Sequence, residues 1–341
     1  MMFQPKNMLV TGGAGFIGSN FIRYILAQDN NIKIINLDNL SYAGSLTNLE
    51  NLSAPERHQF VEGDICDQAL IEKLLAEHEI DTIVHFAAES HVDRSITGPA
   101  AFIQSNLVGT FVLLEAAREY WINKNKWDKS QCRFHHISTD EVYGTLEKDD
   151  PPFTETHLYA PNSPYSASKA GSDHMARAYF HTYGLPVTTT NCSNNYGAYQ
   201  HGEKFIPTVI RSCLDRQNIP VYGDGTNIRD WLFVDDHCSA IDVVIRKGEL
   251  GETYNIGGNN EWSNNDIAKT ICQLLDKKRP MERSYDSLIS YVADRLGHDW
   301  RYAIDGSKIT RELGWSPSVQ FEEGIEKTID WYLVDEEFLG C

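Results

Sequence analysis

Residues 7–18 read Asn7-Met8-Leu9-Val10-Thr11-Gly12-Gly13-Ala14-Gly15-Phe16-Ile17-Gly18, a short apolar run that breaks into glycines before an apolar, helix-like stretch. An apolar run of this length suits a buried strand, and the glycines allow a tight turn from it into a helix. Missing Cβ atoms at Gly12, Gly15 and Gly18 let the backbone approach a pyrophosphate, whose charge the helix N-terminus stabilises. Phe16 and Ile17 belong to the same candidate cofactor loop. Asp38 ends the next apolar run, where a carboxylate accepts bonds from an adenosine ribose and repels a 2′-phosphate. NAD is therefore expected in preference to NADP. Asp64 and Ile65, after the third run, are candidate adenine contacts, although an aspartate ending a strand also serves as a turn former.

The same alternation continues outward from this loop. Strands are expected at 7–10, 33–37, 59–62, 82–86, 133–138 and 187–191, and helices at 15–27, 69–77, 100–120 and 164–182. Strands alternating with longer helices predict an α/β chain of the Rossmann type, a doubly wound parallel sheet covered on both faces. Ser163, Pro164 and Gly184 punctuate the last of these helices as cap, first-turn residue and terminator. After residue 191 the chain becomes loop-rich, with short strands at 220–222, 231–234 and 253–256 between helices at 205–216, 236–246, 264–275 and 322–331. The expected division is an NAD-binding domain over 1–191, with segments near 229–257 returning to it, and a smaller α/β substrate lobe over 192–341. A cleft between the two is the expected ligand site.

Composition narrows the partners. The 341 residues carry 30 Lys plus Arg against 48 Asp plus Glu, a formal charge of −18. That balance argues against a nucleic-acid backbone or an anionic membrane, both of which are bound through clustered cations. Cysteines at 66, 132, 192, 213, 238, 272 and 341 are odd in number and contain no Cys-x-x-Cys pair, which disfavours a disulfide framework and a zinc site. His85, His91, His135 and His136 show no metal-ligand spacing and are expected as interior or turn residues, so no metal is expected. Cys192 is expected as a small buried residue. No signal-like h-region follows Met1, and no window approaches 18 uninterrupted apolar residues. A reducing cytoplasm is the expected location.

Chemistry gathers at two places. Tyr165-Ser166-Ala167-Ser168-Lys169 sets a phenol and an ammonium four residues apart, on one helix face. A phenol with pKa of about 10 is a poor base at neutral pH, and Lys169, a bound nicotinamide cation and the helix N-terminus would all favour its phenolate. Asp140-Glu141 offers two adjacent carboxyls after the fifth strand. Alone such a pair is commonly a solvated turn, and position decides between the two readings.

With Thr11-Gly12-x-x-Gly15-x-x-Gly18, Thr139 and Tyr165-x-x-x-Lys169, the chain resembles the extended short-chain dehydrogenase/reductase family nearly end to end. Within it the chain is similar to the nucleotide-sugar 4,6-dehydratases through 87–95 (AAESHVDRS), 138–144 (STDEVYG), 191–197 (NCSNNYG), 228–231 (IRDW) and 254–258 (YNIGG). The resemblance implies NAD-dependent dehydration of a sugar nucleotide, with dTDP-glucose as substrate and a homodimer built on the long helices 100–120 and 164–182. It implies that Tyr165 takes the 4-hydroxyl proton, that Thr139 bonds that oxygen, and that Lys169 holds the ribose. Glu141 and Asp140 then serve as base and acid for elimination across carbons 5 and 6.

It further implies cofactor contacts at Asn39, Leu40, Ser41, Phe86, Ala87, Ala88, Ser90, Ser105 and Asn195. Substrate contacts are implied at Ser90, Thr139, Asn194, Lys204, Phe205, Pro220, Val221, Tyr222, Arg229, Asn264 and 294–298 (Asp294, Arg295, Leu296, Gly297, His298). Leu296 stands where the family usually has proline, which relaxes the φ restriction of that loop. Ser105 replaces a usual threonine, keeping the hydroxyl. Family members acting on UDP- or GDP-sugars, and a non-catalytic NAD-binding regulator, are the competing readings. The acid pair and the retained Tyr165 and Lys169 argue against simple epimerisation and against the regulator.

Overall fold

The computed structural model describes residues 2–335. Seven strands form one parallel sheet: β1 (Asn7–Thr11), β2 (Lys33–Asp38), β3 (His58–Glu62), β4 (Thr82–His85), β5 (Arg133–Thr139), β6 (Val187–Cys192) and, after a long excursion, Thr253–Ile256. Their order places β4 and β2 on opposite sides of β1, with β5, β6 and Thr253–Ile256 beyond β4 and β3 beyond β2. Every pairing is parallel. Reversal of winding at β1 opens a crevice above the strands' carboxyl ends, where ligands bind in such sheets.

Burial explains the strand compositions. β1, β4, β5 and β6 lie between helical layers and are buried almost throughout, which requires near-continuous apolar or hydrogen-bonded residues. On one face Phe21, Ile22 and Ile25 of the helix Phe16–Gln28 pack with Cys238, Ile241 and Ile245 of the helix Val234–Lys247. The other face packs Leu113, Trp121, Ala176 and Tyr179 against Leu9, Ile83 and Phe134.

The helix Pro164–Tyr183 begins with Ser163 and Ser166 capping each other reciprocally and ends at Gly184 in the left-handed region, φ 71°. A longer helix, Pro99–Lys124, is continuous through two wide-turn segments and is long and apolar enough to cross a membrane, with half of its most apolar window buried inside the molecule.

The remaining strands build the smaller lobe. β7 (Asn194–Tyr196) and β9 (Ile228–Phe233) pair in parallel, β8 (Ile219–Tyr222) pairs with β12 (Ile289–Val292), and β9 also pairs with β11 (Glu261–Ser263) and β13 (Arg301–Tyr302); Thr253–Ile256 is β10. Thus, within 229–257, the helix Val234–Lys247 and β10 join the large sheet while β9 stays in the second one. Its core of Ile206, Ile210, Trp231, Ile267, Ile271, Phe321 and Ile325 draws on helices with strongly one-sided apolar faces.

The candidate active site

A cavity of about 290 Å³ runs along the carboxyl ends of the parallel strands. At one end Gly12 sits at φ 72°, and a Cβ there would lie 2.5 Å from the Ala87 nitrogen; a Cβ on Gly18 would lie 2.3 Å from the Gly12 oxygen. These approaches demand glycine, and Gly12 brings the loop flush against Phe86 and Ala87, just after β4. Asp38 accepts from the Ala14 and Leu40 backbone N–H groups, each at 2.9 Å. Burial pushes its carboxyl above the usual range against those two bonds. Gly12, Gly15, Phe16, Ile17, Gly18, Asp38, Asn39, Ser41, Ile65, Phe86, Ala87, Ala88, Ser90, Ser105 and Asn195 all line the cavity.

Two implied cofactor residues do not line it. Leu40 has a positive φ of 51° and gives its backbone N–H to Asp38, and one Asp64 oxygen accepts the Cys66 N–H at 2.8 Å, closing a turn.

At the other end β5 delivers Thr139 to the cavity and breaks into a short 3₁₀ turn over Asp140–Tyr143, which Thr139 caps by accepting from the Glu141 N–H at 3.3 Å. Thr139, Glu141, Tyr165 and Lys169 share the wall. Asp140 stays behind it, with one oxygen accepting from the Thr139 hydroxyl at 3.4 Å and the other buried without a partner. Burial first, then the neighbouring Glu141 carboxylate, push Asp140 well above the carboxylate range, which favours its protonated form. Burial also raises Glu141, opposed by Arg295, Arg229 and Lys204. Two adjacent carboxyls are thereby given different tendencies to hold a proton, the condition for one acid and one base.

Tyr165 departs from the sequence expectation. In the cavity its phenol is raised well above 10, by burial first and then by Glu141, while the Thr139 hydroxyl opposes the rise. Burial of a group whose charged form loses water outweighs the pull that spacing alone predicts for Lys169 and the helix terminus. Lys169 donates to the Ile137 carbonyl at 2.7 Å.

Of the implied substrate residues, Ser90, Thr139, Asn194 and Lys204 line the cavity. Lys204 donates to the Ser90 carbonyl at 3.2 Å. Arg229 and Arg295 approach Glu141 closely enough to act on its charge. Arg229 is held by the carbonyls of Ile228, Asp299 and Trp300 and lies over the Tyr302 ring at 4.3 Å.

Beyond them Tyr222 meets His298 edge-on at 6.3 Å, and His298 bonds Asp294 at 2.6 Å. Leu296 is 78% exposed. Val221 points into the lobe core instead, because β8 alternates and only Pro220 and Tyr222 face outward. Phe205 packs against the same core, and Asn264 opens the helix Asn264–Lys278 by donating its N–H to the Asn227 carbonyl.

Several wall residues escaped the sequence reading, among them Leu37, Ala43, Gly44, Gly63, Ser193, Gln200 and His201. Glu203 at the lip faces His91, Arg94 and His201 at 3.6, 3.6 and 3.9 Å; its only sequence signal is adjacency to Lys204. His85, His135 and His136 are interior residues bonded to Thr11 and Thr110, to Thr188 and Thr190, and to Asp173. Among the described residues no group of His, Cys, Asp or Glu is arranged to hold a metal ion. Cys192 is buried at the wall, its thiol pushed up to about 12 by burial.

A seven-stranded parallel sheet with a glycine turn after β1, an acid ending β2 and a Tyr-x-x-x-Lys pair facing the end of β5 defines an extended short-chain dehydrogenase/reductase. A family model described as GDP-mannose 4,6 dehydratase matches residues 9–328. The chain is 56% identical to a dTDP-glucose 4,6-dehydratase of Shigella flexneri, covering 97% of this chain and 94% of that one. A Xanthomonas campestris relative of the same name is 57% identical over the same shares.

The crystal structure of DesIV, a dTDP-glucose 4,6-dehydratase from Streptomyces venezuelae with NAD and TYD bound, superposes with a TM-score of 0.89 at 46% identity, covering 97% of this chain and 98% of that one. A UDP-glucose 4-epimerase from Thermotoga maritima follows at 29% identity, TM-score 0.85, with 97% and 99% covered. The chain belongs to the dTDP-glucose 4,6-dehydratase family.

Proposed function

We propose that this protein converts dTDP-glucose to dTDP-4-keto-6-deoxyglucose by NAD-dependent dehydration. The observation that carries the reading is the convergence on one cavity of the glycine loop with Asp38, the Tyr165–Lys169 pair, and Glu141 with Asp140 directly behind it. The cradle fits NAD, since only glycine fits at Gly12 and Gly18 and a buried carboxylate waits where a ribose would lie.

When bound, NAD supplies a reversible hydride acceptor and a cationic ring that favours phenolate in Tyr165. Tyr165 takes the proton of the sugar 4-hydroxyl and Thr139 bonds that oxygen. Lys169 holds the ribose and stabilises the phenolate. The carbon-4 ketone acidifies the carbon-5 hydrogen, which Glu141 removes. Asp140, kept protonated by burial, would donate to the departing 6-hydroxyl, which leaves as water, and Glu141 would return its proton to carbon 5 as the hydride taken from carbon 4 is delivered to carbon 6. Lys204, Arg229 and Arg295 offer positive charge to the substrate's two phosphates inside a chain of net −18. Pro220, Tyr222 and residues 294–298 surround the base.

A plain 4-epimerase has no use for a second proton-transfer pair, and a non-catalytic binder has no use for the five groups together. We assign the protein to the cytoplasm as a homodimer. The exposed apolar Ile103 and Phe111 on Pro99–Lys124 and Tyr183 at the end of Pro164–Tyr183 support that assembly. The purified chain is to be incubated with dTDP-, UDP- and GDP-hexoses and the product mass read. Loss of one water from dTDP-glucose is the expected result, and unchanged mass with every sugar would overturn the reading.

A further inference from the structure

Beneath the Tyr165–Lys169 pair lies a charged group that none of the roles above uses. Asp173 is 5% exposed, one helical turn beyond Lys169. One of its oxygens accepts from the Ser138 hydroxyl at 2.8 Å, and the other faces His136 Nε2 at 3.0 Å. Ser138 and His136 flank Ile137 on β5, and the Ile137 carbonyl receives the Lys169 ammonium. Asp173 thus grips the strand on either side of the atom that Lys169 binds.

The hydrogen bonds also fix the protonation of His136. Ser172 gives its hydroxyl proton to the Lys169 carbonyl, so toward His136 it can only accept, and His136 Nε2–H donates to both Ser172 and Asp173. His136 Nδ1 is buried without a partner. Placing a second proton there would bury an unsatisfied donor on a cation, so the imidazole stays neutral. It therefore leaves the negative charge of Asp173 uncancelled.

We propose that Asp173 is a positioning residue for Lys169, the buried counter-charge that keeps its ammonium ionised and seated at the Ile137 carbonyl. This rests on the assignment of Lys169 above. The groups facing the pair are few. Cys192 on β6, His85 on β4 and His136 on β5 face Lys169; Tyr143 and Tyr159 face Asp173 from the chain after β5. Burial pushes Lys169 down and Asp173 is the first charge opposing it. Side chains four apart on a helix have Cβ atoms about 5–6 Å apart. The charged ends lie beyond direct ion-pair contact, and at the effective dielectric of protein sites a unit charge about 6–10 Å away moves a pKa by about one to two units.

The test uses the full chain freed of cofactor and titrated with NAD at pH values from about 6 to 10, wild type beside Asp173→Asn and Asp173→Glu, with the alkaline limb of kcat measured in parallel. In Asp173→Asn the pH at which affinity and kcat fall is expected to move down by about one to two units, and Asp173→Glu is expected to restore it. A loss equal at every pH, with the limb unmoved, would overturn the proposal and leave Asp173 a packing residue. Should the Asn variant not fold, Asp173→Ser keeps an acceptor for His136 and carries the same comparison. Lys169→Met separates the two readings. Wild-type NAD affinity and turnover in that variant would refute the role of Lys169 itself, whereas impairment there beside an unmoved limb in Asp173→Asn refutes only the counter-charge.

Discussion

Glu141→Gln divides oxidation from elimination, because the substitution keeps the side chain's shape and removes only its capacity to take a proton. The structure sets the size of the loss. The adjacent carboxyl, Asp140, sits behind the cavity wall and is held toward its protonated form by burial and by Glu141. With Glu141 gone, the like charge that raises Asp140 goes too, yet burial, the larger cause, remains. Asp140 is therefore a poor replacement, and the full cost of removing a general base, about 10²–10⁴-fold, applies to the dehydration step. That range is about 3–5 kcal/mol of barrier at about 1.4 kcal/mol per tenfold.

Tyr165, Thr139 and Lys169 are untouched, so oxidation at carbon 4 proceeds. On mixing variant and dTDP-glucose, the near-ultraviolet absorbance of reduced cofactor should rise and persist, while solvent deuterium fails to enter carbon 5 and product mass stays unchanged. Tyr165→Phe should give neither absorbance nor exchange. Wild-type turnover by Glu141→Gln would refute the assignment and place the base elsewhere in the cavity.

Asp38 should discriminate strongly against NADP, because a 2′-phosphate would meet a buried carboxylate; equal affinities for NAD and NADP in a binding titration would mean that Asp38 does not face the ribose. kcat/KM should favour dTDP-glucose over UDP-glucose by a modest margin, since one methyl in an apolar slot is worth about 1–3 kcal/mol; equal values would detach the base preference from the reaction. Ser163→Ala should cost about 1 kcal/mol through loss of the reciprocal cap on Pro164–Tyr183, read as a lowered Tm and a lowered denaturant midpoint. An unchanged Tm would show that the cap contributes nothing once Pro164 and Gly184 are in place.

The features legible along the chain alone are local or repetitive. A glycine run between an apolar strand and a helix, strands recurring between helices, Ser163-Pro164 and Gly184 bounding one helix, and Tyr165 one turn before Lys169 are all legible because each depends on neighbours a few residues away. The expected strand and helix positions of the first half lie within a residue or two of the observed ones for the same reason, apart from the longest helix, which extends four residues further. The resemblance added the expected roles of Asp140 and Glu141, which spacing could not distinguish from a surface turn.

Tertiary structure decided whatever depends on distant segments meeting. Which of Pro220, Val221 and Tyr222 faces outward follows from how β8 lies against the lobe core, and β9 left the large sheet to join β7, β11 and β13 although the helix and strand after it returned. The position of Glu203 among His91, Arg94 and His201 is likewise set by contacts across the fold. Above all, the protonation tendencies of Tyr165, Asp140 and Lys169 come from burial, which is a property of the assembled interior. A titrating side chain takes its pKa from the water it loses and the charges that surround it, and neither is written in the order of residues along the chain.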